Sequence, residues 1–420
     1  MFFKRVVFVI LFFGMIPGRA VFAQSSERTL MLDEALELAK ARNQEIVAAQ
    51  KRWEEEKAKI AVIKSWPDPQ LGVEFWGKNE TWYDVSQTIP FPGKLSIKGE
   101  AQAHEAQRQM ELYQAKGQEI LQKVKAAYYG YFLARRQKEL FEESVELSKH
   151  FSIVAENKYA INQTSQVDVL KAQLEYSKAL NMLVTLGQDV EVAEAELNAL
   201  LNQPPETPLG KPTEPPLPSL DVSYPELEKI ALEKRPELLA AQHHVNHMQA
   251  ELSSARTEFL PDTMVQYSRR TFSDSEGQDD NIVMVKFNVP LWFWKQGSMV
   301  KAARQAKEGA DAELQATETM TRADLKTVLV KAQTARRLVE LYRTSVIPQA
   351  ETALRAASVG YESGTAEFLD VVDSQRSWLE FQVEYFQALA QYWSYLAGLE
   401  RVVGTDLMTL QRQTKEARTS

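Results

Sequence analysis

Cysteine is absent from all 420 residues of the sequence. Its absence excludes disulfide bonds, thiolate catalysis and cysteine-based zinc sites. Long apolar runs are also missing, since no segment beyond the N-terminus approaches the 18 consecutive apolar residues of a transmembrane helix. No nucleophile, base and orienting group come together in the sequence, so we expect neither an enzyme nor a bound cofactor or metal.

Basic residues are fewer than acidic ones, 49 against 57, which gives a formal net charge of −8. An acidic balance disfavours nonspecific binding to nucleic acid and favours a surface that attracts cations. Hydrophobic residues make up 44% and charged residues 25% of the chain, as is usual for a folded protein. We therefore expect a folded chain without a nucleic-acid partner.

The first 23 residues have the three-part layout of a secretory signal. Lys4 and Arg5 form a charged head, residues 6–13 form an apolar run, and Ala23 ends a small-residue exit. The apolar run is too short to span a bilayer as a helix, and an amphipathic or buried N-terminal helix is the alternative interpretation. The layout favours export, either to a soluble destination or into an outer membrane.

Residues 360–375 organise the rest of the sequence. A Ser-Gly-Thr break at 363–365 interrupts two long helical patterns, and Asp370 and Asp373 follow one helical turn apart. The segment therefore predicts the tight turn of a helical hairpin. Residues 158–173 carry the same pattern 202 positions earlier, with Tyr159 matching Tyr361 and Asp168 matching Asp370. The chain is a duplicated unit.

Helical patterns fill most of both repeats. They run over 30–64, then over 94–157 with apolar residues in heptad steps, then over 167–202, and again from about 296, where Pro348 should kink the helix. Eight prolines between 203 and 225 exclude a helix or a central strand and predict an extended linker. The predicted layout is a signal at 1–23, a first repeat at 24–202, the linker at 203–225, a second repeat at 226–404 and a polar tail at 405–420.

Each repeat also contains one predicted β-hairpin, at about 70–90 and 263–290. Apolar and polar residues alternate along both hairpins, which predicts one largely apolar face. A two-stranded hairpin is marginally stable alone and exposes its edges. Pooling the hairpins of both repeats and of several subunits into a closed barrel removes both problems. The expected fold is mainly α-helical with a small β part, and the strands are close to the length that crosses a membrane.

This layout resembles the outer-membrane efflux proteins, the TolC-like channel-tunnels. The resemblance rests on the helix openings at 38–50 and 230–242, the proline-ended hairpins, and the turn at 360–373, and it covers about 30–405. It implies a homotrimer in outer-membrane lipid, in which each subunit gives four strands to a twelve-stranded barrel and its helices to a periplasmic tunnel. The family forms the exit duct for inner-membrane pumps, joined through a periplasmic adaptor.

The resemblance also implies roles for single residues. Asp370 and Asp373 would ring the closed periplasmic aperture, with Asp168 in a supporting role, although spacing alone equally allows solvated acids at a helix start. Ala366 stands where family members often carry an arginine that locks the gate. Some relatives are lipid-anchored through an N-terminal cysteine. Because this chain contains no cysteine, we expect it to be unlipidated. The expected adaptor-contacting tips are Tyr361, Gly364, Thr365, Thr164 and Ser165.

Two further clusters have competing interpretations. His243 and His247 lie one helical turn apart, a spacing that can hold a metal, but a solvated helix face is the preferred interpretation. Aromatic residues flank the hairpins and form either hairpin packing or, as we prefer, a membrane-interface girdle. The girdle residues are Trp76, Trp82, Trp292 and Trp294.

We therefore predict the channel of a tripartite efflux system and not an enzyme. A periplasmic adaptor and a secreted coiled-coil structural protein are the alternatives. The cargo stays open between heavy-metal cations, drugs and a secreted protein. The likeness of residues 90–94 to those of one branch of the family suggests a pump of the resistance-nodulation-division type as the partner.

Overall fold

A computed structural model describes residues 29–76, 80–217, 222–273 and 278–406. The predicted signal at 1–23 and the tail beyond 406 lie outside the described residues. So do parts of both hairpin loops, at 77–79 and 274–277, and linker residues 218–221.

The chain is mostly helical with a few short strands, which confirms the predicted fold class. The first repeat contains β1 (Thr29–Leu30), α1 (Leu32–Arg42), α2 (Gln44–Lys64), β2 (Gln70–Trp76), β3 (Glu80–Ile89), α3 (Lys94–Ala160) and α4 (Gln166–Leu200). The rest contains β4 (Lys211–Pro212), α5 (Tyr224–Lys234), α6 (Pro236–Thr257), β5 (Thr263–Phe272), β6 (Asp280–Phe287), α7 (Phe293–Leu341), a π-helix (Tyr342–Val346), α8 (Ile347–Ser363) and α9 (Phe368–Val403).

The duplication extends to single backbone conformations. Asn162 and Gly364, 202 positions apart, both have a positive φ just after a long helix, at 59° and 81°. Asn202 and Gly404, again 202 apart, have φ of 55° and 80°. Asparagine and glycine are the residues that adopt this left-handed conformation at least cost. The two repeats therefore reverse direction by the same turn geometry.

The single helix predicted over 30–64 is wrong in one respect, because it breaks at Asn43. The Asn43 side chain accepts hydrogen bonds from the backbone N–H groups of Glu45 and Ile46 and so begins a new helix, α2. Asn43 also donates to the Leu200 carbonyl at 3.0 Å, which ties the break to the end of α4. Arg235 separates α5 from α6 at the matching place in the second repeat.

The two hairpins lie side by side in one antiparallel sheet of order β2-β3-β5-β6. The registers pair Val73 with Tyr83, Val85 with Tyr267, and Val265 with Val285, so these side chains share one face. That face is exposed and largely apolar, and Leu71 and Phe75 are 80% and 77% exposed. The opposite face is mostly polar and carries Glu74, Asp84, Ser86, Gln266, Ser268, Arg270, Asp280 and Lys286.

The main core lies where the helices of both repeats pack together. Tyr128, Tyr131, Leu325 and Tyr392 are fully buried in it. The Tyr128 hydroxyl donates to the Leu30 carbonyl at 2.9 Å and accepts from the backbone N–H of Thr213 at 3.0 Å. Part of the segment predicted as a linker is thus held on the core, where β4 pairs in parallel with β1.

Pro348 changes the outgoing helix as its chemistry requires. Proline has no N–H to donate to the carbonyl four residues earlier, and a five-residue π-helix, Tyr342–Val346, ends two positions before Pro348, with the Ile347 N–H bonded to the Tyr342 carbonyl. The Tyr342 hydroxyl donates to Glu384 at 2.7 Å and holds this irregular turn against α9.

The length of α3 separates the two ends of the molecule. Its 67 residues span about 100 Å at 1.5 Å per residue, from the sheet to the α3–α4 turn. Among the residues that the structure describes, no helix is both long enough and apolar enough to cross a membrane.

Candidate functional site: the paired helical tips

The turns α3–α4 and α8–α9 meet at the end of the molecule distant from the sheet. A second apolar cluster, separate from the main core, packs them together. Its buried members come from both repeats and are Phe151, Ala155, Ala172, Tyr361, Phe368, Val371 and Val372. The two tips of the chain are therefore a single packed unit.

Tyr361 lies inside this cluster, which corrects the expectation that it offers contact surface to an adaptor. Its side chain is only 3% exposed, and its ring centroid lies 5.5 Å from that of Phe368. The Lys158 ammonium sits 4.6 Å from the ring centroid and donates to the Tyr361 carbonyl. Burial raises the pKa of the Tyr361 hydroxyl, which therefore stays protonated. Tyr361 supports the tip from within.

The other expected tip residues lie at the surface. Gly364, Thr365 and Ser165 are exposed, and Thr164 is half-buried. The backbone N–H of Thr365 donates to the Gly360 carbonyl at 2.8 Å and closes the turn. A Cβ at Gly360 would come within 2.9 Å of the Ala366 Cβ, so the turn requires a small residue at both places.

Asp168 closes a capping box at the start of α4. Its carboxylate accepts from the hydroxyls of Ser165 at 2.8 Å and Thr164 at 2.9 Å, and Ser165 in turn accepts from the Asp168 backbone. Partial burial alone would raise the pKa of this carboxyl, but these hydrogen bonds outweigh it and hold the pKa below its usual value. Asp168 is a charged cap that fixes the first tip.

Asp370 occupies the equivalent position in the second repeat. Its carboxylate accepts from the backbone N–H of Glu367 at 3.0 Å and completes the capping box of α9. Asp370 and Asp373 are both exposed, while Phe368 and Val371 on the same helix are buried in the tip cluster. The two carboxylates therefore share the face of α9 that points away from the tip cluster.

Gln375 is a site residue that sequence reasoning missed. It is 8% exposed, and its amide donates to the hydroxyls of Ser144 at 3.1 Å and Ser148 at 2.9 Å on α3. The sequence does align Gln375 with Gln173 of the first repeat, which could have drawn attention to it. Gln173, however, is exposed and donates to Glu156. The two equivalent glutamines therefore make different contacts, and only Gln375 links α9 to α3.

The neighbouring Arg376 forms a second link between the repeats. Its guanidinium lies 2.6 Å from the Glu175 carboxylate on α4, and Arg376 is exposed. An exposed pair of this kind contributes about 0–1 kcal/mol, whereas leaving the polar partners of a buried side chain unsatisfied costs about 1–3 kcal/mol. Gln375 is therefore the stronger of the two links.

The histidine cluster is not the solvated helix face that we preferred. His243 and His244 are half-buried, and the His243 ring lies 6.1 Å from that of His104 on α3. His247 bonds through Nδ1 to the Ala101 carbonyl at 2.8 Å, so it is not directed at His243. Within the described part of the chain, no three His, Cys, Asp or Glu side chains form a group that could hold a metal.

The tryptophans fall into two pairs. Trp76 and Trp82 lie on the polar face of the sheet by register, and Trp82 donates to Glu80 at 2.6 Å. A lipid-facing aromatic band would use the other face. Trp292 and Trp294 are exposed at the start of α7, with ring centroids 5.1 Å apart, at the level where sheet and helices meet.

An amphipathic sheet continued by very long paired helices is the architecture of a channel-tunnel. The sequence profile described as outer membrane efflux protein matches residues 35–203 and again 227–405. The chain belongs to the outer membrane efflux protein family. It is a channel of the efflux class and not an enzyme, which confirms our prediction and removes the adaptor and structural-protein alternatives.

Individual relatives are similar over nearly the whole chain. The cobalt-zinc-cadmium resistance protein CzcC of Cupriavidus metallidurans is 25% identical over 397 residues, which cover 93% of each chain. The solved structure of outer membrane protein VceC from Vibrio cholerae has a TM-score of 0.75 at 18% identity and covers 89% of this chain and 96% of that one. The Campylobacter jejuni outer membrane channel CmeC gives a TM-score of 0.77 at 15% identity, covering 91% and 88%.

Proposed function

We propose that three copies of this chain form one continuous exit duct, through which a tripartite system expels divalent transition-metal cations. The single observation that carries the proposal is the polarity of the molecule. An exposed apolar sheet face lies at one end, and a packed acidic tip lies about 100 Å away at the other.

The apolar face supports insertion into the outer membrane. Leu71, Phe75, Val283 and Phe287 are exposed there together, and a contiguous apolar patch of this kind needs a partner or a lipid surface. The opposite, polar face suits a water-filled lumen, as in membrane barrels where residues alternate apolar-out and polar-in. Trp292 and Trp294 would then lie at the periplasmic boundary of the lipid.

Asp370 and Asp373 supply the aperture in this proposal. Three copies would bring six carboxylates to the common axis, and a ring of carboxylates favours cations and repels anions. Their exposure on the face of α9 opposite the tip cluster supports this placement. Asp168 supports the aperture indirectly, because it caps α4, and α4 contributes Ala172 to the cluster that packs against α9.

Opening requires the contacts between the two repeats to loosen at the tip. An adaptor that binds Gly364, Thr365, Thr164 and Ser165 would contact the α3–α4 turn and the α8–α9 turn at the same time. Because Ala366 cannot form the arginine lock expected from the resemblance, the closed state depends on Gln375 and on the Arg376–Glu175 pair. Untwisting of α8 and α9 would break both links and widen the aperture.

Two observations support metal cations as the cargo. The acidic tip favours cations over anions, and the similarity to CzcC, a protein named for cobalt, zinc and cadmium resistance, covers 93% of both chains. We test the cargo by complementation in a strain that retains a metal pump and its adaptor but lacks the outer-membrane channel.

The complementation compares the minimum inhibitory concentrations of cobalt, zinc and cadmium salts with those of several antibiotics. Our proposal predicts that the wild-type chain raises metal resistance several-fold and leaves antibiotic resistance unchanged. Restoration of antibiotic resistance alone would contradict the cargo. Failure of both, with correctly inserted protein, would contradict the exit-duct proposal itself.

A further inference from the structure

Four of the five histidines in the sequence lie together where α3 of the first repeat packs on α6 of the second. They are His104, His243, His244 and His247. His104 lies about 15 Å along α3 from its start beside the sheet, and it is therefore far from the tips. The proposed aperture does not use this cluster, although neutral imidazole is the commonest protein ligand of metals.

Two of these histidines already have partners. Nδ1 of His247 bonds to the Ala101 carbonyl at 2.8 Å, and Nε2 of His244 lies 3.9 Å from the Glu313 carboxylate. The rings of His244 and His247 are stacked, with an interplanar angle of 22° and centroids 6.4 Å apart. The lone pairs of an imidazole lie in the plane of its ring, so stacked rings do not direct them at one point. These two side chains therefore do not share an ion.

His104 and His243 are arranged differently. They come from two helices, and their rings are tilted by 32° with centroids 6.1 Å apart. Because a ligand nitrogen lies about 2.0–2.1 Å from zinc, two rings on one ion have centroids no more than about 6.4 Å apart. One ion therefore fits between His104 and His243. The sequence alone suggested His243 and His247, one turn apart on the same helix, and it could not show the contact with α3.

His243 also has an unused ligand atom. Its Nδ1 is buried and has no hydrogen-bond partner among the residues that the structure describes. Buried polar atoms without a partner are rare in folded proteins, and a bound ion or water is one common explanation. The lone pair of this imidazole is thus not committed to the packing of α6 on α3.

The duplication indicates that the fold itself does not require histidine here. The offset of 192 positions that aligns Ala240 with Ala48 places Lys51 at the position of His243. Lys51 is exposed and lies 2.5 Å from the Glu54 carboxylate. A flexible, charged side chain is therefore accepted at the equivalent place of the first repeat. The imidazole at position 243 calls for a reason other than the shared helical packing.

The charges around the cluster are compatible with a bound cation. Arg108 is the nearest positive group, and its guanidinium lies 2.9 Å from the Glu105 carboxylate on the same helix. The Glu313 carboxylate lies beside His244 with 73% of its side chain exposed. The charge of Arg108 is therefore compensated by Glu105, and Glu313 adds a negative charge at the edge of the cluster.

We infer that His104 and His243 together bind one divalent transition-metal cation of the zinc, cobalt or cadmium type, which links the first repeat to the second. The inference rests on the proposed function, because it gives the proposed metal cargo a contact site within the duct. Imidazole favours such ions, whereas magnesium and calcium prefer oxygen ligands.

Only two protein side chains hold the ion in this site. Within the described residues, no third His, Cys, Asp or Glu side chain completes a group with them, so water fills the other coordination positions. A structural zinc site uses four protein ligands and binds its ion permanently. Two ligands hold the ion more weakly and allow it to leave, as conduction through a channel requires.

Metal binding by the purified chain tests the site. Untagged wild-type protein in detergent is first stripped of metal with a chelator and then titrated with Zn²⁺ in a calorimeter. We expect one ion per chain and a rise in the thermal unfolding temperature, because a ligand that binds only the folded state stabilises it. His104→Gln and His243→Gln should each abolish both signals. Mg²⁺ is the matched control metal, and it should give neither signal in the wild type.

Two control variants separate binding from packing. His247→Ala removes the bond to Ala101, so it should lower thermal stability and still show the rise with Zn²⁺. His150→Gln removes the fifth histidine, which is exposed and lies outside the cluster, and should bind Zn²⁺ as the wild type does. Zinc binding that survives in His104→Gln and His243→Gln, or that is lost in His150→Gln, would overturn the site.

Complementation keeps the site and the proposed function apart, since the purified chain binds metal without a pump. If the wild-type chain confers metal resistance but binds no Zn²⁺ when purified, the site is wrong and the duct stands. If the chain binds Zn²⁺ through both histidines but confers no metal resistance, the site stands and the proposed cargo is wrong.

Discussion

The carboxylate of Asp370 accepts a hydrogen bond from the backbone N–H of Glu367 at 3.0 Å and thereby caps α9. Asp168 makes the equivalent capping box with Ser165 in the first repeat. The residue that we propose for the aperture therefore also holds the start of its own helix. Asp370→Ala changes charge and helix stability together, so the two effects need separate variants.

Asp370→Ala should lower the stability of the tip by about 1 kcal/mol, the usual cost of losing a helix cap. Asp370→Asn keeps a side-chain oxygen that can accept from Glu367, so it should remove the charge at little cost in stability. Asp373→Ala should leave stability unchanged, because Asp373 is exposed and is not part of the capping box. Thermal unfolding of the three purified variants measures these stabilities, and Asp370→Ala should be the least stable. Equal losses of stability for Asp370→Ala and Asp373→Ala would contradict the capping role.

Gln375→Leu should destabilise the closed tip by about 1–3 kcal/mol, because it leaves the buried hydroxyls of Ser144 and Ser148 without their donor. Cells that carry this variant should become more sensitive to bulky antibiotics that normally cannot pass the outer membrane. Gln173→Leu is the matched control at the equivalent, exposed position of the first repeat, and we expect it to be silent. Equal sensitivity from both variants would mean that Gln375 does not hold the tip closed.

Gly364→Ala should destabilise the second turn by about 1–2 kcal/mol, because its φ of 81° is costly for any residue with a Cβ. Asn162→Gly, at the equivalent place of the first turn, should be neutral or slightly favourable to the turn. Adaptor binding to the two variants, measured with purified components, should weaken only for Gly364→Ala. A loss of binding from both would indicate that the side chain of Asn162 is itself recognised.

Acid should weaken the packing of α3 against α6. Burial lowers the pKa of His243, with a further contribution from His104, and burial also lowers the pKa of His244. A histidine whose pKa is lower in the folded state stabilises the fold above its unfolded pKa of about 6.5 and loses that contribution as pH falls below it. Thermal stability should therefore fall from pH 7.5 to pH 5.

His243→Gln should flatten this pH dependence. If wild type and His243→Gln lose thermal stability equally between pH 7.5 and pH 5, His243 is not a source of the acid sensitivity.

Much of the fold follows from local patterns in the sequence, and the exceptions share a physical cause. Period-two and heptad spacings predict strands and coiled helices because they depend on neighbours within a few residues. The burial of Tyr361 depends on Phe368 and on a turn 200 residues earlier, and no spacing encodes it. Gln375 and Gln173 look alike in sequence, and only the packing of α9 on α3 distinguishes them.

Single-channel current across a planar bilayer tests the proposed duct most directly. Wild-type protein should give a small, cation-selective current, because closed tips carry the Asp370 and Asp373 carboxylates at the aperture. The double variant Asp370→Asn/Asp373→Asn keeps side chains of nearly the same size and should lose most of the cation selectivity while the current grows. A current that is unchanged in size and selectivity would contradict the aperture that we propose.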